Sequence, residues 1–281
     1  MNSLVKVTTL FTGVLFICAF GTYKNSQPAY TTPGLKIVQR WDLPVVLKEV
    51  SGIASIDSIR FACVQDEVGS IFIYNIATST IQEEIPFAPA GDYEGITLVN
   101  DTAWVLRADG KLFEVSTLYS KATTIKEYST PLTANHNVEG LCYDKNNNRL
   151  LLAIKDAEPG GKPYKGIYAF DLATKTMAAE PAFKIEMRQE LKTGNKKRSF
   201  EIMPSGIAIH PQTKDMYVTD GRNSSLLIMN AAGGVKSLFD LNSKDFHQPE
   251  GITFHTNGEM FISNEGAKGG GNILKVEAVQ E

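Results

Sequence analysis

Five short stretches of the chain share one shape: Ser51-Gly52-Ile53-Ala54, Glu94-Gly95-Ile96-Thr97, Glu139-Gly140-Leu141-Cys142, Ser205-Gly206-Ile207-Ala208 and Glu250-Gly251-Ile252-Thr253. In each, an acidic or hydroxyl residue precedes a glycine, and apolar positions come after it in alternation. The glycines stand at 52, 95, 140, 206 and 251, so the steps between them are 43, 45, 66 and 45 residues. Steps of about 40–45 residues are the length of one four-stranded propeller blade. The long step is then a blade carrying an insertion.

The segments after each start repeat as well. Second strands are expected at Arg60–Gln65, Ala103–Arg107, Arg149–Lys155, Asp215–Thr219 and Glu259–Ser263, each running into a polar turn. Third strands are expected at Ser70–Ile76, Lys111–Val115, Gly166–Leu172, Ser225–Asn230 and Asn272–Val276. More polar fourth strands, as outer edges should be, are expected at Thr80–Phe87, Thr123–Tyr128, Pro181–Met187 and Val235–Leu241. The last repeat ends with three strands, and Leu35–Leu43 (LKIVQRWDL) supplies the missing fourth from the other end of the chain. Closing the ring this way leaves no open sheet edge. The fold expected is all-β: a single β-propeller of five four-stranded blades over residues 35–281. Six blades is the alternative, with Arg188–Met203 hiding an extra one; that segment is short for four strands. No amphipathic helical pattern exceeds two turns, which argues against α/β folds.

Residues 1–34 read as a signal or anchor segment and linker. Lys6 precedes the apolar run Val7–Phe20, and the polar, turn-rich stretch Gly21–Gly34 comes next. That run suits a secretory signal and is short for a membrane span. Cys18 raises lipid attachment as a further option, although Ile17 before it is larger than a lipobox prefers. The domain is therefore expected outside the cytoplasm, in the periplasm or anchored to the cell membrane, touching the membrane only through its N-terminal segment. Cys63 and Cys142 lie in apolar strands of different repeats and read as small core residues rather than a disulfide. A net charge of −3 gives no basic footprint for nucleic acid. The basic stretch Lys192–Arg198 (KTGNKKR) reads as a solvated insertion, or as a contact for an anionic surface or substrate.

Blade geometry gathers distant residues at one mouth. The start of each inner strand and the end of each second strand open on the same face. Glu94, Glu139 and Glu250 come from inner-strand starts, with Ser51 and Ser205 in the other two blades. The second-strand ends bring Asp66, Glu67, Arg107, Asp109, Lys155, Asp156, Asp220, Arg222, Asn264 and Glu265. Asp92, His136 and His247 enter from the preceding loops. Three carboxylates about 8 Å apart, at an effective dielectric near 20, repel by about 2 kcal/mol per pair. A bound cation, a shared proton or the neighbouring Arg107, Lys155 and Arg222 must offset this. Ca²⁺ suits oxygen ligands of this kind, with Glu94, Glu139 and Glu250 as the metal candidates. The alternative is that each Glu accepts backbone N–H bonds and pins the ring. His136 and His247 are the candidate general bases, and Arg107, Lys155 and Arg222 the candidate groups for stabilising a transferred anion. No nucleophile motif declares itself.

The five Ser/Glu-Gly-Ile/Leu starts, together with Asp92-Tyr93-Glu94-Gly95, Pro204-Ser205-Gly206 and Gln248-Pro249-Glu250-Gly251, resemble the SdiA-regulated family of bacterial cell-envelope β-propellers. The similarity runs from about Leu35 to Val276. It implies a five-bladed or closely related propeller, an N-terminal signal or anchor, and calcium. Ser51 and Ser205 match that family's hydroxyl in the first and fourth repeats. Three functions compete. The first is an envelope propeller that binds a divalent cation at the acidic mouth, in a binding or ion-homeostasis role. The second is a metal-dependent phosphoesterase or related hydrolase acting on an anionic small molecule. The third is a scaffold for an envelope protein. A monomer is expected.

Overall fold

The computed structural model describes residues 31–32, 34–116, 123–156, 158, 160–187, 189–193, 196–266 and 269–278; for 31–32, 189–193 and 196–200 it describes the backbone alone. It is an all-β, five-bladed propeller. Blade 1 comprises Val50–Ser55, Arg60–Gln65, Ser70–Asn75 and Thr80–Pro86, from inner to outer strand. Blade 2 comprises Tyr93–Val99, Thr102–Arg107, Leu112–Ser116 and Thr124–Tyr128. Blade 3 has Val138–Asp144, Arg149–Ile154 and Tyr164–Asp171, and its outer position is shared by Thr176–Met177 and Phe183–Glu186. Blade 4 comprises Pro204–Ile209, Met216–Asp220, Ser225–Met229 and Val235–Asp240. Blade 5 takes Pro249–Phe254, Met260–Asn264 and Asn272–Ala278 from the C-terminal end and Leu35–Asp42 from the N-terminal end. All pairings are antiparallel, and Leu35 faces Ala278 while Asp42 faces Asn272. Among the described residues, helix is limited to three short 3-10 turns. The signal or anchor expected in the first 30 residues, including Cys18, lies outside the described residues.

Apolar side chains form five clusters, one in each wedge between neighbouring blades. Ile73, Val64, Tyr93 and Phe113 fill the gap between blades 1 and 2, and Trp104, Leu152 and Phe170 that between blades 2 and 3. Cys142, Ile207 and Val218 join blades 3 and 4. Leu35, Leu226, Phe246 and Leu274 join blades 4 and 5, while Trp41, Phe61, Phe72 and Phe261 join blades 5 and 1. Cys63 and Cys142 are buried free thiols, their acidity suppressed by burial.

The insertion is not a sixth blade. Gln189–Thr193 pairs with Lys196–Phe200 as an isolated two-stranded hairpin. Within the basic stretch Lys192–Arg198, Lys192 pairs with Lys197 and Thr193 with Lys196; residues 194–195 lie outside the described residues. The outer strand of blade 3 is broken: pairing stops after Met177 and resumes at Phe183.

Each inner strand carries a β-bulge at its Ser/Glu-Gly start: the register shifts between Val50 and Gly52, Tyr93 and Gly95, Val138 and Gly140, Pro204 and Gly206, and Pro249 and Ile252. A bulge leaves a residue out of the ladder and re-aims its side chain. Here the re-aimed residues are Ser51, Glu94, Glu139, Ser205 and Glu250. The glycines have no positive φ; they are needed because neighbouring blades crowd the axis. A Cβ on Gly206 would overlap the backbone oxygen of Glu250 in the next blade. Gly206→Ala is expected to lower stability by about 3 kcal/mol, at the upper end of overpacking costs because backbone must move. Urea denaturation reads this directly, and a loss below about 0.5 kcal/mol would contradict the packing.

Candidate functional site

The bulged residues divide into two kinds. Ser51 Oγ donates to the Tyr93 carbonyl at 2.5 Å, and Ser205 Oγ donates to the Pro249 carbonyl at 2.6 Å. Each serine thus ties its blade to the residue just before a mouth glutamate, Glu94 in one case and Glu250 in the other. Thr219 adds a second tie, its Oγ1 donating to the Glu250 carbonyl at 2.8 Å. The serines and Thr219 fix the strands; the glutamates are left to face the mouth.

Glu139 and Glu250 are buried, 4% and 5% exposed, and Glu94 is half-buried. Glu139 Oε1 accepts from Lys155 Nζ at 2.7 Å and from Asn137 Nδ2 at 2.9 Å. Among the described residues, Glu139 Oε2 and Glu250 Oε2 are buried without a hydrogen-bond partner. Such a group costs about 1–3 kcal/mol if nothing satisfies it. Burial pushes the Glu139 carboxyl up to about 7, with Lys155 pulling against it and Asp92 and Asp156 adding to it. Burial and the Glu139 charge push Glu250 up to about 8, opposed by Lys155 and Gln248. Burial, Glu139 and a hydrogen-bonded Asp92 hold Glu94 well above the usual carboxylate range. The three glutamates therefore share one electrostatic environment in which burial raises the proton affinity of each.

The acidic surface continues toward blade 1. Asp66, at the end of its second strand, is pushed up to about 6 by burial and by Glu49, Glu265 and Glu67. Its Oδ1 is also buried without a partner among the described residues. Glu265 is raised by burial and Glu49, and the Gln248 amide donates to its carboxylate.

The basic candidates part company. Lys155 faces the glutamates. Burial works against its charge, but Glu139, Glu250 and Glu94 favour the ammonium and its affinity for the proton rises. Behind it, the buried Lys165 Nζ donates to the Lys155 carbonyl at 2.6 Å and braces that backbone. Arg107 is instead held bidentate by Asp109, at 3.0 and 2.7 Å. Arg222 is exposed, with Nη1 3.5 Å from Met203 Sδ. His136 is buried in a 3-10 turn, where its Nδ1 accepts the Thr133 N–H at 3.0 Å; His247 is exposed. Asp220 is fully buried and holds Met203 N, Asn223 N and Asn223 Nδ2 at 2.8–2.9 Å. Asn264 bonds Asn272. These last are fixed in local networks.

The donor oxygens at the mouth suit a hard cation. Among the described residues, no three Asp, Glu, His or Cys side chains form a set that could hold a metal ion, and Glu139 is already paired with Lys155. What the mouth offers such an ion is donor chemistry, the orphaned Glu139 Oε2 and Glu250 Oε2, with the Lys155 charge beside them.

The mouth does not continue as a channel. The axis narrows at Gly52, Gly95, Gly206 and Gly251 to a void of about 10 Å³, about enough for one water. Beyond lies a cavity of about 200 Å³ at the opposite mouth. There Ser55 Oγ meets His255 Nδ1 at 2.5 Å, joining blade 1 to blade 5. Nothing in the sequence singles out this pair, nor Lys165 or Glu49, since none sits in a repeated motif.

A model of the family described as SdiA-regulated matches residues 37–268. No curated protein matches the sequence. Among solved structures, glutaminyl cyclase from Myxococcus xanthus is similar at 14% identity and TM-score 0.57, covering 88% of this chain and 97% of that one. Streptogramin B lyase is similar at 12% identity and TM-score 0.51, covering 88% and 98%. A structural-genomics protein of unknown function from Bacteroides thetaiotaomicron reaches 9% identity and TM-score 0.51, covering 82% and 70%. At such identities the likeness is one of fold.

Proposed function

The chain belongs to the SdiA-regulated family, and from that premise we propose that it is a cell-envelope β-propeller whose acidic mouth binds a divalent cation, Ca²⁺ foremost, in a binding or ion-homeostasis role. The observation that carries this reading is the pair of buried, unpartnered oxygens, Glu139 Oε2 and Glu250 Oε2, beside Glu94. Once ionised, three glutamates facing one lysine would carry excess negative charge that a hard cation would neutralise in place of protons. The apolar run Val7–Phe20 behind Lys6 supports export. A chain that closes its own ring supports a monomer.

The hydrolase alternative draws on cations beside the carboxylates, yet Arg107 is committed to Asp109 and Lys155 to Glu139. Neither His136, capped into its turn, nor the exposed His247 supplies a positioned base. Cation binding without chemistry is the better reading. Titration calorimetry of the protein with CaCl₂ should give saturable binding. Glu139→Gln and Glu250→Gln should each weaken it by about tenfold or more, the scale of one lost charge contact. Binding that is absent, or indifferent to both substitutions, removes the proposal.

A further inference from the structure

Lys155 directly follows the second strand of blade 3, and the next residue, Asp156, is exposed. The lysine turns its ammonium inward, 2.7 Å from Glu139 Oε1, where it also acts on Glu250 and Glu94. Its side chain retains 21% exposure, so a path to solvent is open. Lys165 anchors the Lys155 carbonyl at 2.6 Å, so a movement of the ammonium would be confined to the four-carbon side chain. An ammonium and a divalent ion seek the same carboxylate oxygens and repel each other. Both cannot occupy one buried acidic site.

We propose that Lys155 is a tethered counter-ion that fills the cation site of the free protein and must swing out before a divalent cation binds. This inference rests on the reading of the mouth as a cation site, and it names the residue that sets that site's affinity. The exposed Asp156 carboxylate, next in sequence, is placed to receive the displaced side chain. Lysine suits the role better than arginine, whose planar fork would clamp a carboxylate at two points.

The test compares calcium binding by calorimetry in the wild-type chain, Lys155→Met and Lys155→Arg. Removing the competitor should tighten binding by about tenfold or more, while Lys155→Arg should remain no tighter than wild type. If the wild type binds and Lys155→Met binds no more tightly, the inference is overturned and cation binding stands. If neither binds at millimolar calcium, the cation reading itself falls and takes the inference with it. Should Lys155→Met fail to fold, the wild type alone suffices. Acetylation by N-hydroxysuccinimidyl acetate, tracked at each lysine by peptide mass spectrometry, should speed up several-fold at Lys155 on adding Ca²⁺. Exposed Lys244 serves as the unchanged reference. Unaltered protection of Lys155 in protein that binds calcium would overturn the displacement.

Discussion

Deleting Leu35–Asp42 should abolish cooperative folding, leaving a chain that aggregates in place of a slightly weakened propeller. This strand completes blade 5, paired from Leu35 against Ala278 to Asp42 against Asn272, and its start also pairs with Thr31–Thr32. It also contributes to two of the five wedges. Leu35 packs with Leu226, Phe246 and Leu274 between blades 4 and 5, and Trp41 with Phe61 and Phe261 between blades 5 and 1. Each large apolar side chain so buried is worth about 1.5–3 kcal/mol, and a domain has only about 5–15 kcal/mol in total. Losing Leu35 and Trp41 together with the ladder approaches or exceeds that margin. The deletion would also bare Asn272–Ala278 as an unpaired edge, a template for pairing with other chains. Urea denaturation monitored by circular dichroism, with size-exclusion chromatography, gives the answer. A monomeric variant with a sharp transition would mean that the ring does not depend on this closure.

The closure was legible because the repeat is recognisable: five glycines, three of their four steps near 45 residues and the fourth lengthened by an insertion, count the blades, and a count that ends one strand short points to the other end of the chain. The composition of the mouth was legible for the same reason, since inner-strand starts must face the axis. What could not be read was how the side chains divide their work. Ser51 and Glu94 occupy equivalent positions, yet the short serine hydroxyl reaches the neighbouring Tyr93 carbonyl while the longer glutamate passes it and faces the mouth. Arg107 ends its second strand and Lys155 directly follows the equivalent one. Arg107 meets Asp109 two residues on and is captured locally, whereas Lys155 finds its partner in Glu139 of the inner strand. Such choices depend on side-chain reach. The hairpin pairing Gln189–Thr193 with Lys196–Phe200 escaped for another reason: QELKT and KKRSF carry no alternating apolar pattern, so nothing in the sequence distinguishes them from a solvated loop.

The free protein should lose stability as pH rises from about 5 to about 8, by an amount on the order of several kcal/mol. The sign comes from the glutamates. In the unfolded chain they titrate near 4.3, but in the fold Glu139 is raised to about 7 and Glu250 to about 8. Between those limits the native state holds protons that the unfolded state has released, so raising the pH favours unfolding. The stabilising contribution is complete below the unfolded value and is lost as pH climbs through the folded ones. Asp92, Asp156 and Glu265 push in the same direction, Lys155 against it. Glu259 and Asp109, held low by Lys275 and Arg107, act oppositely below pH 5; His255 and His210, lowered by burial, oppose the fall below about pH 6.5, so the steepest loss is expected between about pH 6.5 and 8. Glu250→Gln removes one of the reluctant charges, so it should flatten the slope and raise stability at pH 8. Calcium at millimolar concentration should flatten the wild-type profile in the same way, since a bound cation stabilises the ionised carboxylates. Urea midpoints at pH 5, 6.5 and 8, with and without calcium, measure all of this. A flat profile in calcium-free wild type would mean that the three glutamates ionise without cost, and their convergence on one buried mouth would then be wrong.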